Sequence, residues 1–429
     1  MINQNAFVSV QNSHFLPGFC KPLYGSYSFA RIPGTVKRLL TGIDEHALPL
    51  DTTPDSETPY DAVILLFIDG FGWRFFEKYA ERFPFLKRFL QEGCASKILS
   101  QFPSTTAAHV TCINTGLPVG QSGIYEWFYY EPKLDAMIAP LLFSFAGDKA
   151  VGSLAKTGIK PEELYPFQTV YQDLHKHGVQ SFVMQQESIA HSPYSKMMFQ
   201  GAHQLSYRTL AEGLTSLSDL VTQKELPRSY FYLYFGDIDS MGHRHGIDTA
   251  QFEAAVVECW TLLEKNLWEN IQHSDKRIAC LVVADHGMIE VDPKNTFYLN
   301  EKIPTSKDWI KKNKQGKLLV PAGSCRDLFL HIEENHLKEA ESTLKEQLHG
   351  YATVLRTQEL IDQHFFGEDP PSTRFLERVG NLVVLAHEHN AVWWHEKGRF
   401  AQHFYGSHGG LTRKEMETIF LFMKTGSSV

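Results

Sequence analysis

The sequence predicts an α/β fold with a mostly parallel central sheet and helices on both faces. Three observations carry that reading. Ala62–Ile68 is an unbroken apolar run, which a strand needs when it is covered on both faces. Apolar runs at 230–235 and 278–284 repeat the pattern, and aspartates stand just past the end of each: Asp69, then Asp237 and Asp239, then Asp285. Stretches with helical periodicity at 73–92, 167–177 and 251–271 separate the runs. In such sheets ligands bind beyond the carboxyl ends of the strands, so these aspartates are expected to meet in one crevice.

Taken in order, residues 1–59 are rich in Gly, Pro, Ser and Asn, and predict an N-terminal arm on the core with at most one helix, at 33–40. The core domain is expected over 60–425. The 73–92 helix can break at Pro84 and ends at Gly93. Ser104-Thr105-Thr106 precedes an apolar segment closing at Gly116, which reads as a helix carrying the threonines in its first turn. Residues 125–160 are aromatic and irregular, and 291–323 are rich in Lys, Pro and Asn; both are expected to be insertions. A strand is expected at 180–184. Runs at 327–332, Ala352–Arg356 and Leu382–Ala386, with a helix at 336–348, continue the alternation, and 418–423 is the last strand.

The composition, 43% hydrophobic and 21% charged, is that of a folded globular chain. A formal charge of −8 argues against a nucleic-acid duplex as partner, because phosphate backbones attract basic surfaces. A small anionic substrate stays open, since bound cations dominate a local field. The six cysteines have no paired spacing, and Cys112, Cys259 and Cys280 sit in apolar runs as buried thiols, a pattern of reducing compartments. No signal peptide and no membrane span is legible, which together with the cysteines predicts a cytoplasmic protein. A monomer or a homodimer is expected.

Five motifs carry chemistry: Phe-Ile-Asp-Gly (Asp69), Phe-Pro-Ser-Thr-Thr (Thr106), Asp-Ser-Met-Gly-His (Asp239, His243), Ala-Asp-His-Gly-Met (Asp285, His286) and Gly-Ser-His-Gly-Gly (His408). An unpaired carboxylate at the end of a buried strand is costly unless something positive compensates it. Asp69 could equally cap the following helix. Asp239 and His243 are four apart, a spacing that puts both on one side of a helical turn; Asp237 is a rival ligand. His245, His395 and His403 are weaker candidates. Thr106 would sit where helix N–H groups favour negative charge, with Thr105 and Ser104 competing for the cap. Three carboxylates and an ionised hydroxyl would balance the charge of two divalent cations. An aromatic group, Tyr125, Trp127, Phe128, Tyr129 and Tyr130, could stack on a flat leaving group or belong to the core.

From 61 to 422 these motifs, in this order, resemble the alkaline phosphatase superfamily, and most of all its type I phosphodiesterase/nucleotide pyrophosphatase branch. The resemblance implies an alkaline-phosphatase-like fold and a hydrolase of small phosphate esters using two divalent metal ions, Zn2+ or alternatively Mn2+. It implies one metal on Asp239, His243 and His408. The other would lie on Asp69, Asp285 and His286, with Thr106 as the bridging nucleophile that becomes phosphorylated. Nucleotide-cleaving members carry an Asn three residues after the nucleophile to bind a phosphoryl oxygen. Here that place is His109, so either His109 donates that hydrogen bond or the contact differs. The Cys-x-Pro-x-Arg segment of sulfatases has no counterpart, since Cys20-Lys21-Pro22-Leu23-Tyr24 lacks the Arg. Within the same fold, a phosphomonoesterase, a phosphonate hydrolase or a head-group phosphotransferase would use the same residues. A non-catalytic metal-binding module would keep them without turnover.

Overall fold

The computed structural model describes residues 1–56 and 59–425; residues 57 and 58, within the polar stretch 51–59, lie outside the described residues. Its centre is a seven-stranded sheet. In space the strands run Cys94–Leu99, Glu417–Lys424, Ile278–Val283, Ala62–Ile68, Ser229–Phe235, Gln180–Gln186 and His203–Tyr207. Six are parallel, and Glu417–Lys424 runs antiparallel to both of its neighbours. The fold expected from the apolar runs is therefore the observed one.

Ala62–Ile68 is buried at every position. Its side chains alternate between two cores. Val63, Leu65 and Phe67 face the layer that holds the helices Ile32–Thr41 and Thr106–Thr115. Ile64, Leu66 and Ile68 face the layer of Trp73–Tyr79, Pro84–Gln91, Leu210–Val221 and Ala250–Leu262. Burial on both faces locks the strand register, and the register fixes where the strand-end aspartates emerge.

Several expectations need correction. The first 59 residues hold two α-helices, not one: Gln4–Gln11, capped by Asn3 through Ala6 N–H at 3.1 Å, precedes Ile32–Thr41. The 73–92 helix does break, and Pro84 opens the second piece, where its missing N–H costs nothing. The strands Cys94–Leu99 and His203–Tyr207 lacked an apolar run. Cys94–Leu99 carries the buried Lys97, paired at 3.0 Å with Glu417 of the neighbouring strand, and His203–Tyr207 is an edge strand with mostly open positions.

The largest correction concerns Asp327–Leu330, Ala352–Arg356 and Leu382–Ala386. They do not extend the central sheet. With Ala322–Gly323 they form a separate four-stranded antiparallel sheet around its own core, which includes the helix Leu337–Gln347. Residues 125–160 include a small antiparallel sheet, Tyr129–Glu131, Ala136–Ala139 and Ser144–Phe145. Among the described residues no helix is long and apolar enough to cross a membrane.

Candidate metal centre and nucleophile

Sheet register brings the aspartates together. Phe67 lies opposite Val283, so two positions further along both chains Asp69 and Asp285 leave the sheet side by side. On the other flank Ile68 lies opposite Phe235, and the helix Asp237–His245 starts two residues later, with Asp239 in its first turn and His243 one turn on. Gly70 adopts φ 72°, and a Cβ there would stand 3.1 Å from the Asp239 Cβ, so only glycine lets the two segments approach. The Gly70 N–H donates to Asp285 Oδ1 at 3.0 Å. His408 arrives on the loop after Gly406–Ser407, a short strand paired with Ile289–Glu290.

Two clusters result. Ligand atoms of Asp239, His243 and His408 lie within 4.8 Å of one another, and so do those of Asp69, Asp285 and His286. The rival Asp237 lines the same crevice but joins neither cluster. His245 and His403 are exposed, and His395 pairs with Glu301.

The imidazoles show what the clusters are built to hold. Each faces a main-chain carbonyl through Nδ1: His243 to Gly406 at 2.7 Å, His286 to Gly287 at 2.9 Å and His408 to Ser104 at 2.8 Å. A carbonyl can only accept, so each Nδ1 carries a proton and each Nε2 is the nitrogen turned to the crevice. The Nε2 atoms of His243 and His408 face each other at 3.1 Å, and His286 Nε2 faces Asp285 Oδ2 at 3.1 Å. Without an ion, Asp285 draws the second proton onto His286, and the neutral His408 turns its Nε2 toward His243; a bound cation would replace that proton and take both nitrogens as ligands. Asp239 Oδ1 and Asp285 Oδ2 are buried without a hydrogen-bond donor, as metal ligands would be. Burial, then the charges of Asp285 and Asp239, push the Asp69 carboxyl well above its usual range. Burial, then His286 and His243, drive His408 well below the usual imidazole value, so it stays neutral. The residues thus fit divalent ions bound by histidine nitrogen and carboxylate oxygen.

Thr106 opens the helix Thr106–Thr115, with its Oγ1 3.4 Å from Asp69 Oδ1 and 3.4 Å from His286 Nε2. Thr105 holds the cap position but its side chain makes no capping bond, so the first helical N–H groups are not taken by it. His109 does not fit the role of phosphoryl-oxygen donor. It is fully buried, its Nδ1 meets Thr105 O at 2.7 Å, and its Nε2 is taken by Ser100 Oγ at 2.8 Å and Gln101 N–H at 2.9 Å. With both nitrogens committed inside the chain, His109 anchors the strand-to-helix turn that presents Thr106.

Two cavities, of about 500 and 520 Å³, meet at Thr106, Trp127 and Asp239. The aromatic group divides between the alternatives left open by the sequence. Tyr125 and Tyr129 are core, whereas Trp127, 39% exposed, lines both cavities, and Phe128 lies against Trp393 and Phe400 on one of them. Tyr234, which sequence reasoning passed over, donates to Asp69 Oδ2 at 2.5 Å. Its only signal was a hydroxyl on an otherwise apolar strand ending, Tyr-Leu-Tyr-Phe at 232–235.

A parallel sheet with a helix-opening threonine and two His/Asp clusters at its carboxyl edge defines a class, the alkaline-phosphatase-like hydrolases. Within that class the chain belongs to the type I phosphodiesterase/nucleotide pyrophosphatase family, whose model matches residues 63–411. Murine ectonucleotide pyrophosphatase/phosphodiesterase 5 has a similar fold, with a TM-score of 0.61 at 17% identity over 84% of this chain and 87% of that one. An inactive form of the murine protein in complex with AMP and the human protein of the same name each give a TM-score of 0.60 at 17% identity, over the same shares of both chains. No curated protein matches the sequence.

Proposed function

We propose that the chain is a two-metal phosphodiesterase or nucleotide pyrophosphatase that works through a phosphothreonine at Thr106. The observation that carries the reading is the pair of clusters beside Thr106, each with a buried carboxylate oxygen that has no hydrogen-bond donor and with imidazole Nε2 atoms turned inward. Asp239, His243 and His408 would hold one ion, and Asp69, Asp285 and His286 the other, while Thr106 Oγ1 lies 3.4 Å from Asp69 Oδ1 and His286 Nε2. Zinc suits the mixed nitrogen and oxygen donors, and manganese is the alternative. When bound, the ions supply Lewis-acid charge that favours the threonine alkoxide and neutralises the phosphoryl group.

The chain's own residues do the rest. Thr106 Oγ1 forms a bond to phosphorus as the bond to the leaving oxygen breaks; the hydroxyl proton goes to solvent and the leaving group takes one back. Water then attacks the phosphothreonine, the Oγ1–P bond breaks, and Thr106 regains its proton. With His109 committed elsewhere, the uncapped N–H groups of the first helical turn are the donors for the phosphoryl oxygen. A diester is favoured over a monoester because a cavity opens on each side of Thr106, one for each ester group. The AMP complex of the murine neighbour supports a nucleoside monophosphate as the retained half. Six buried free thiols support a reducing, cytoplasmic setting.

Hydrolysis of bis-p-nitrophenyl phosphate with added zinc or manganese is the test. Wild-type protein should turn it over faster than the corresponding monoester, and Thr106→Ala should abolish turnover. An inert wild type, or an undiminished Thr106→Ala variant, would refute the reading.

A further inference from the structure

The two cavities that meet at Thr106 differ in charge. The cavity of about 500 Å³ is lined by Asp69, Asp237, Asp239 and Glu258, and its one cation among the described residues, Arg208, is tied to Glu187 at 2.9 Å. Side-chain amides and hydroxyls, Gln185, Gln186 and Ser192 among them, complete that wall. The cavity of about 520 Å³ is lined instead by two guanidiniums, Arg244 and Arg399. Its carboxyls are Asp239, a member of a metal cluster, and Glu126, which is fully buried and which burial pushes up to about 7.

Arg399 is already engaged: it pairs with Glu396 at 2.9 Å and donates to the Ala146 carbonyl at 2.7 Å. Arg244, by contrast, is exposed and makes no hydrogen bond or ion pair among the described residues. The carboxyl that feels its charge, Asp237, lines the other cavity, where burial still holds it above its ordinary value. Arg244 follows His243 in the last turn of the helix Asp237–His245, and all three residues of the Asp239 cluster line the same cavity as Arg244. Of the Asp69 cluster, only Asp69 reaches the other cavity. A guanidinium with its donors free, beside an ion site, is suited to take phosphate oxygens in a fork.

We propose that Arg244 determines which leaving group is accepted: the cavity it lines receives a half that carries its own phosphate, so the preferred bond is a phosphoanhydride and not an ester of a neutral alcohol. Pyrophosphate or a second nucleoside monophosphate then departs through that cavity. The acidic cavity repels phosphate and takes the uncharged nucleoside of the retained half. This rests on the phosphothreonine reading and assigns the two halves of the substrate to its two cavities. In the step, Thr106 Oγ1 bonds to the phosphorus of the nucleotide and the hydroxyl proton goes to solvent. The bridging P–O bond breaks, and its electron pair leaves with the departing phosphate, which gains one negative charge. Arg244 meets that charge as it develops, so the guanidinium counts for more in the transition state than in the bound ground state. A neutral alcohol brings no second phosphate for it to hold.

The test compares two substrates with the same retained half, ATP and the p-nitrophenyl ester of AMP, on zinc-loaded wild type, Arg244→Gln and Arg244→Lys. Released AMP is measured from both. Arg244→Gln should lower the ratio of kcat/KM for ATP to that for the ester by about 10- to 100-fold, the worth of a hydrogen bond to a charged group. Arg244→Lys should recover part of that ratio, and inorganic pyrophosphate should inhibit wild type more strongly than Arg244→Gln. Because Arg244 is exposed, both variants should melt near the wild-type temperature. A ratio unchanged in Arg244→Gln, or a wild type that cleaves the ester and not ATP, would overturn the proposal and leave Arg244 as the cation of a helix end. A wild type inert on both substrates would strike the two-metal reading itself, and this inference with it; cleavage of the ester by wild type separates the two failures.

Discussion

Replacing Tyr234 by Phe removes one oxygen from a partly buried ring, and its effect can be worked out from the site. Asp69 has two carboxylate oxygens. Oδ1 faces the crevice, 3.4 Å from Thr106 Oγ1 and 3.5 Å from His286 Nε2, while Oδ2 takes the Tyr234 hydroxyl at 2.5 Å. The phenol therefore decides which oxygen is offered to an ion. A hydrogen bond to a charged group contributes about 1.5–3 kcal/mol. At about 1.4 kcal/mol per factor of ten, that is roughly a 10- to 100-fold change in an equilibrium constant, in line with the loss of about 10–100-fold seen when a partner of a metal ligand is removed. Tyr234→Phe should thus weaken zinc at the Asp69 cluster by one to two orders of magnitude while leaving the Asp239 cluster nearly unchanged. A competition titration against a chromophoric chelator resolves the two steps. If both zinc affinities stay at wild-type values, Asp69 is not oriented by Tyr234 and the argument from its geometry is wrong.

Three further outcomes follow from the same structure. His109→Gln should lower stability by about 1–3 kcal/mol through broken buried hydrogen bonds, yet leave kcat/KM of the folded fraction close to wild type. A drop of about 10²–10³-fold, the usual cost of a lost oxyanion donor, would return His109 to the phosphoryl oxygen. Arg326→Ala leaves Glu415 charged and buried, and urea unfolding should show a loss of about 3–5 kcal/mol. In metal-free protein the Asp69 carboxyl is held above its ordinary value of 3.8 by burial and by Asp285, so the folded chain keeps a proton that the unfolded chain releases. Its contribution therefore makes stability fall as pH rises from that value through the raised one, and zinc binding weaken as pH falls. Denaturation across that range should show a flatter profile for Asp69→Asn than for wild type.

Much of the site was legible because its parts are local. A seven-residue apolar run followed by Asp-Gly marks a buried strand ending in a carboxylate whatever surrounds it, and Asp239 and His243 share a helical turn by spacing alone. The separate sheet of Asp327–Leu330, Ala352–Arg356 and Leu382–Ala386 was not legible. Its runs have the same apolar character as central strands, and nothing within a run says which strand it will pair with. His109 misled for a similar reason: its position along the chain is close to Thr106, but the Ser100–Gln101 turn claims its Nε2 and the Thr105 carbonyl its Nδ1.

By itself the sequence determined which strands are buried on both faces, that the threonines stand at the start of a helix and which aspartates stand at strand ends, because periodicity and capping act over a few residues. Only the tertiary structure decided how His408 reaches the Asp239 cluster that the resemblance implied, which residue opens the Thr106 helix, and that Tyr234 orients Asp69. Those contacts join segments well over a hundred residues apart, and they exist only where parallel register and the packing of two sheets bring the segments to one edge.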